Sequence, residues 1–119
     1  MPEIKGEDYT VNQDVETATV NFKGELALGS PSEYQPIKDL LNDLVDSEPA
    51  TVTLNLRELT FLNSSGISML SKFVLGLRKK KEIQLVILAS NDVPWQSKSL
   101  QNLEKLLPTL KLELEDDAS

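Results

Sequence analysis

Residues 51–70 read TVTLNLRELTFLNSSGISML, and the fold turns on how this stretch divides. Thr51-Val52-Thr53-Leu54-Asn55-Leu56 alternates apolar with polar side chains and is β-branched at its start, which is a strand pattern. The run from Leu59 to Leu62 stays largely apolar. Asn63-Ser64-Ser65-Gly66 then breaks the pattern, and Ile67, Leu70, Val74 and Leu77 follow at helical spacing, with Met69 and Phe73 beside them. A strand therefore passes into an amphipathic helix through a short polar junction. Arg78-Lys79-Lys80-Lys81 closes that helix with cations, where the helix dipole favours them.

The same alternation of element types extends in both directions. Upstream, Tyr9 to Asn12 reads as a short strand, and residues 17–27 read as a half-buried one, with Gly24 marking a bulge. Ser30-Pro31-Ser32-Glu33 has the form of a helix start: a serine cap, proline in the first turn and glutamate completing a capping box. Ile37, Leu40, Leu41 and Leu44 continue this helix until Pro49 ends it. Downstream, Ile83 to Ala89 is nearly continuous in apolar residues, as in a strand covered on both faces. Asn91 to Pro94 opens a third helix carrying Leu100, Leu103, Leu106 and Leu107, which Pro108 stops. Leu110, Leu112 and Leu114 alternate with charges and predict an edge strand, and residues 115–119 form an acidic tail expected to be disordered. The predicted order is β-β-α-β-α-β-α-β. Strands joined by single helices require a largely parallel sheet with right-handed crossovers, the first pair being free to pair otherwise. One α/β domain spanning 1–119, ordered from about residue 9 to 114, accounts for the chain.

Composition narrows the chemistry. The chain has no cysteine and no histidine. Thiolate chemistry, a Ser-His-Asp triad and an ordinary zinc site are therefore excluded. Nineteen acidic against twelve basic residues give a net charge of −7, which disfavours nucleic acid as a partner. No apolar run approaches the roughly 20 residues that span a bilayer, and the N-terminus lacks a signal-peptide core, so a cytoplasmic protein with no membrane partner is expected. The glycines match no nucleotide-binding fingerprint. Asp39 and Asp43 share a helix face with Asp46 nearby, which reads as a solvated face rather than a metal site. No catalytic machinery, cofactor or metal ligand set emerges, and no enzyme activity is expected.

Two motifs carry a family resemblance. Phe61-Leu62-Asn63-Ser64-Ser65-Gly66-Ile67 resembles the signature of the STAS domain, the fold of anti-sigma factor antagonists, in which an aromatic-apolar pair leads into Asp-Ser-Ser/Thr-Gly. Gly24-Glu25-Leu26-Ala27 is similar to that family's Gly-Glu-Leu-Asp. The element order fits the family from about residue 9 to 114, so the resemblance implies a STAS-like α/β domain with a mixed sheet and helices packed on it. It further implies a non-catalytic regulatory domain of a partner-switching signalling pathway in transcription regulation. Such a domain binds a protein partner, an anti-sigma factor that is also a serine kinase, and a phosphatase reverses the modification.

By motif position the phospho-acceptor is Ser64, with Ser65 the second choice. The partner-binding surface is Asn63, Ser64, Ser65, Gly66 and Ser68, with Gly29, Ser30 and Ser32 from the facing loop. Gly66 is read as leaving room for a partner backbone. Two positions depart from the pattern: Asn63 and Ala27 stand where phosphorylated members carry aspartates. The departures suggest a divergent branch of a family common in bacteria and cyanobacteria. They leave two alternatives: a constitutive scaffold whose Ser64 only caps a helix, and a small-ligand sensor. Trp95, the single tryptophan, reads as a ring folded over the sheet end rather than an interface anchor, and Arg78 to Lys81 as a solvated helix end.

Overall fold

The computed structural model describes residues 3–80 and 82–115. Among them are strands β1 (Glu3–Lys5), β2 (Tyr9–Asp14), β3 (Thr19–Leu26), β4 (Thr51–Leu62), β5 (Gln84–Ser90) and β6 (Lys111–Glu115). Helices α1 (Gln35–Asp46), α2 (Ser64–Gly76) and α3 (Pro94–Leu106) connect the last four strands. The strands form one sheet in chain order, antiparallel from β1 to β3 and parallel from β3 to β6. The order is thus the predicted one with a strand added in front. β1 is three residues long, two of them charged, and too short to show a period. The predicted acidic tail lies, from Asp116 onward, outside the described residues, while Glu115 closes β6.

Right-handed crossovers that always step the same way across a sheet place successive helices on one face. Burial follows that geometry. Val20 and Phe22 on β3, Val52, Leu54 and Leu56 on β4, and Leu85 and Ile87 on β5 are buried beneath the helices, with Ile37, Leu41, Leu70 and Leu100 as their counterparts. The opposite face carries no helix. β5 is therefore covered on one side only, not on both as its apolar run suggested. Val86 and Leu88 stay half-exposed there, flanked in register by Thr53, Lys111, Asn55 and Glu113. Long polar neighbours can screen them with their stems.

A polar row crosses this open face. Asn12, Asn21 and Asn55 are register partners, and each amide donates to the next: Asn21 Nδ2 to Asn12 Oδ1 (3.1 Å) and Asn55 Nδ2 to Asn21 Oδ1 (2.9 Å). Arg57 extends the row, donating to Asn55 Oδ1 at 3.0 Å and pairing with Glu115 at 2.8 Å.

β4 is irregular in its second half. Against β3 it gains one residue between Asn55 and Glu58 and another between Leu59 and Phe61, so the bulged strand is β4. Its buried residues Leu56, Leu59 and Leu62 consequently recur at every third position, and Phe61 is turned outward, 45% exposed. Gly24 faces this irregular stretch with φ +91, as its interruption of the strand pattern suggested. A Cβ there would lie 2.1 Å from the Asp8 carbonyl, which accepts from Glu25 N at 2.8 Å.

β4 pairs with β5 only as far as Asn55. Beyond it, α3 supplies the donors. Trp95 Nε1 donates to Leu59 O at 3.0 Å, and the fully buried Gln96 donates to Leu56 O and Leu59 O while accepting from Ser90 N at 2.8 Å. Trp95 is thus folded against the sheet end. Arg78, read as part of a solvated helix end, donates to Leu106 O and ties the end of α2 to that of α3. No helix among the described residues is long and apolar enough to cross a membrane.

Candidate functional site

The parallel strands β3 and β4 end together. Leu26 pairs with Leu62, and Asn63 N donates to Leu26 O at 3.2 Å as the last rung before the chain enters α2. Asn63 is extended and caps α2: its Oδ1 accepts from Gly66 N at 3.0 Å. The same oxygen accepts from Tyr34 Oη at 2.6 Å, and Nδ2 donates to Leu28 O at 2.9 Å. One amide therefore fastens α2, the residue before α1 and the loop after β3. An aspartate at this position would hold the first two contacts. It would set a carboxylate oxygen against the Leu28 carbonyl, acceptor against acceptor. Asparagine here thus makes a contact that the family's acid could not.

Tyr34, absent from the residues singled out in the sequence, is completely buried. Burial pushes its hydroxyl pKa above the ordinary 10.0, opposed by its hydrogen bond with the Leu28 backbone. A signal for it exists: Tyr34, Ile37, Leu41 and Leu44 share one helical stripe, which begins a turn earlier than the leucines alone suggest.

The predicted capping box does not form. Pro31–Tyr34 is a 3-10 turn, α1 begins at Gln35, and the Ser30 side chain caps nothing. Glu33 Oε2 accepts from Gly29 N at 2.6 Å instead, and the Ser30 and Ser32 hydroxyls lie 3.0 Å apart. Gly66 also has a different role from the one predicted. It is buried, and a Cβ would lie 2.2 Å from Leu62 Cδ1 and 2.8 Å from Tyr34 Oη. It lets the first turn of α2 settle on the core, not a partner settle on α2.

Ser64 is exposed at the first position of α2, and its hydroxyl has no hydrogen bond among the described residues. Ser65 is half-buried and Ser68 exposed, as are Gly29 and Ser32. Asn63 and its carbonyl occupy the amides of Gly66 and Ile67, leaving those of Ser64 and Ser65 without helical acceptors. A cleft of about 200 Å³ between α1 and α2 is lined by Lys38, Ser65, Ser68 and Lys72. A separate groove of about 450 Å³ lies along Glu7, Asp8, Tyr9, Glu25, Ala27 and Phe61, the last of these two residues before Asn63. Asp39 accepts from Gln35 Nε2 at 2.8 Å, and no group of His, Cys, Asp or Glu suited to a metal occurs among the described residues.

A mixed sheet covered on one face by helices, with an exposed serine opening the helix at the strand ends, is the architecture of a small single-sheet α/β domain. Residues 9–116 match the STAS domain, and the chain belongs to that family. Its fold is similar to a chain of the Pseudomonas aeruginosa complex of the diguanylate cyclase SiaD with its activator SiaC. That similarity has a TM-score of 0.76, with 11% identity over 98% of this chain and 99% of that one. SiaC of Pseudomonas aeruginosa alone gives 0.72, with 13% identity over 98% and 99%. An anti-sigma factor antagonist from Mycobacterium paratuberculosis gives 0.64, with 19% identity over 91% and 90%. No curated protein matches the sequence.

Proposed function

We propose that this chain is a non-catalytic regulatory domain of the cytosol that binds a signalling protein through the start of α2, with Ser64 as the phosphorylated switch. The observation carrying this reading is the Ser64 hydroxyl: exposed, without a hydrogen bond among the described residues, and held on a helix start that Asn63 and Tyr34 fix from below. A phosphate there would meet the amides at the helix N-terminus and the dipole's positive end. It would also add roughly −1.5 to −2 charges at the contact surface without refolding the domain. Ser65, half-buried, is the weaker acceptor. Asn63, Ser68, Gly29, Ser30 and Ser32 complete the surface.

The partner is an anti-sigma factor with serine kinase activity or, by analogy with SiaC, an effector enzyme that the bound domain activates. In the switched form a phosphatase resets Ser64. A constitutive binder is the second reading, favoured by the neutral Asn63 and Ala27, which leave no acid of their own beside the hydroxyl. Intact mass and peptide mapping of protein from its native cells, grown under two conditions, separate the two. A phosphate on Ser64 establishes the switch. A chain unmodified in both conditions leaves the constitutive binder.

A further inference from the structure

The groove beside Ser64 has a chemistry of its own. It is bordered by the carboxylates of Glu7, Asp8 and Glu25, all exposed and without an ion-pair partner among the described residues. The same groove is lined by the rings of Tyr9, half-buried, and Phe61, the latter 45% exposed. Its walls are fixed before anything binds. Glu25 N donates to Asp8 O at 2.8 Å, Gly6 N to Tyr9 O at 3.0 Å, and Glu25 is the register partner of Phe61.

From this juxtaposition we infer that the groove receives a basic segment of the partner protein, a lysine or arginine set beside an apolar side chain. This rests on the partner-binding reading above and supplies its chemistry. Three exposed carboxylates along one groove attract an incoming cation. An ammonium or guanidinium can also lie against an aromatic ring, and the segment's apolar side chain covers the wet part of Phe61. A groove fixed in advance gives up little entropy on binding. The occupant is a protein segment because the groove is open and reaches the switch through Phe61, Leu62 and Asn63. The separate cleft lined by Ser65 and Ser68, with Lys38 and Lys72, carries the other sign. A partner with the matching polarity can dock in only one orientation.

The test uses the full chain to select from a random peptide library, followed by titration of the enriched peptides into isotopically labelled protein. The expected peptides carry Lys or Arg next to an aromatic or aliphatic residue. They shift amides at residues 6–9, 25–28 and 61. Their affinity falls about tenfold in the Glu7→Gln, Asp8→Asn, Glu25→Gln triple variant, and again in Phe61→Ala. All four positions are on the surface, and a melting curve confirms that each variant folds. Enrichment of neutral or acidic peptides, no enrichment, or basic peptides that bind the triple variant equally well would overturn the inference. Peptides that shift only residues 64–68 overturn the groove's role and leave the switch surface standing. Peptides that shift only the open sheet face count against both.

Discussion

Tyr34 donates to Asn63 across 29 positions of sequence, oxygen to oxygen at 2.6 Å, and this contact joins the approach to α1 to the cap of α2. Removing the hydroxyl tests it together with the longer contacts to Leu28 N and Leu26 O, both 3.4 Å. Tyr34→Phe keeps the ring in the core and is expected to lower stability by about 1 kcal/mol in urea unfolding, the net value of one hydrogen bond. The substitution also changes the alkaline limb. The folded-state pKa of Tyr34 is raised above 10.0, so the tyrosine's contribution is complete below pH 10.0 and is lost as pH rises through the folded value. Thermal melts of the two proteins, compared across this window, should show a steeper alkaline decline for wild type.

Asn63→Asp restores the acid of the family pattern and is nevertheless expected to destabilise. The carboxylate loses the donor that Leu28 O accepts, and it leaves that carbonyl facing like polarity. A charge at an N-cap gains roughly 0.3–1 kcal/mol from the dipole. A lost, partly buried donor forfeits about 1–3 kcal/mol. The second term wins, and equilibrium unfolding at neutral pH should report a net loss of about 1 kcal/mol.

Gly66→Ala sets two effects against each other. Alanine favours a helix over glycine by about 1 kcal/mol. The added methyl, however, falls 2.2 Å from Leu62 Cδ1, and Leu62 is itself only 4% exposed and cannot swing away. Overpacking of this kind costs about 1–3 kcal/mol, so denaturant melts should show destabilisation at a site where propensity predicts the reverse.

Gln96→Leu should be among the more damaging single changes outside the apolar core. It strips the donor from Leu56 O and the acceptor from Ser90 N, and leaves Leu59 O with Trp95 Nε1 alone, all at the point where β4 has left β5. Unpaired buried groups cost about 1–3 kcal/mol each, partly relieved by water. A loss of about 2–4 kcal/mol is expected, with faster hydrogen exchange at residues 56–59 and 90.

Ser64→Ala removes a hydroxyl with no hydrogen bond among the described residues, so its unfolding free energy should stay within about 0.5 kcal/mol of wild type. The same variant, expressed in the native cells, should abolish any phosphorylated species in intact mass spectra. A phosphate that persists would move the acceptor to Ser65 or elsewhere.

The sequence was most legible where period and punctuation agree. The Thr51–Leu56 alternation and the leucine spacing of α1 specify local structure through short-range physics, and both appear where the pattern places them, whereas the cap of α2, read as Ser64 in the scaffold alternative, is Asn63. Less was legible where tertiary context decides. β1 is too brief to carry a period. Ser30 has the right type and spacing for a cap, but proline at 31 and 36 bends the entry into a 3-10 turn first. Gln96 gives no local sign of being buried, because its partners lie far away in sequence, and Tyr34 shows its burial only through the helical stripe it heads. The bulges of β4 are invisible in its own composition and emerge only against β3. At the site, exposure of Ser64 follows from its helix position, whereas the inward role of Gly66 required knowing that Leu62 and Tyr34 lie behind it.

The asparagine row on the helix-free face bears on how this surface can change over time. A residue in the core is held by neighbours on several elements, so its replacement demands compensation in three dimensions. Asn12, Asn21 and Asn55 are linked in one dimension only, each amide to the next. Replacing Asn12 strands a single contact and leaves the remaining pair intact. Replacing Asn21 severs both at once. Drift should therefore begin at the β2 end of the row and advance inward, and the central asparagine should be the last of the three to be exchanged.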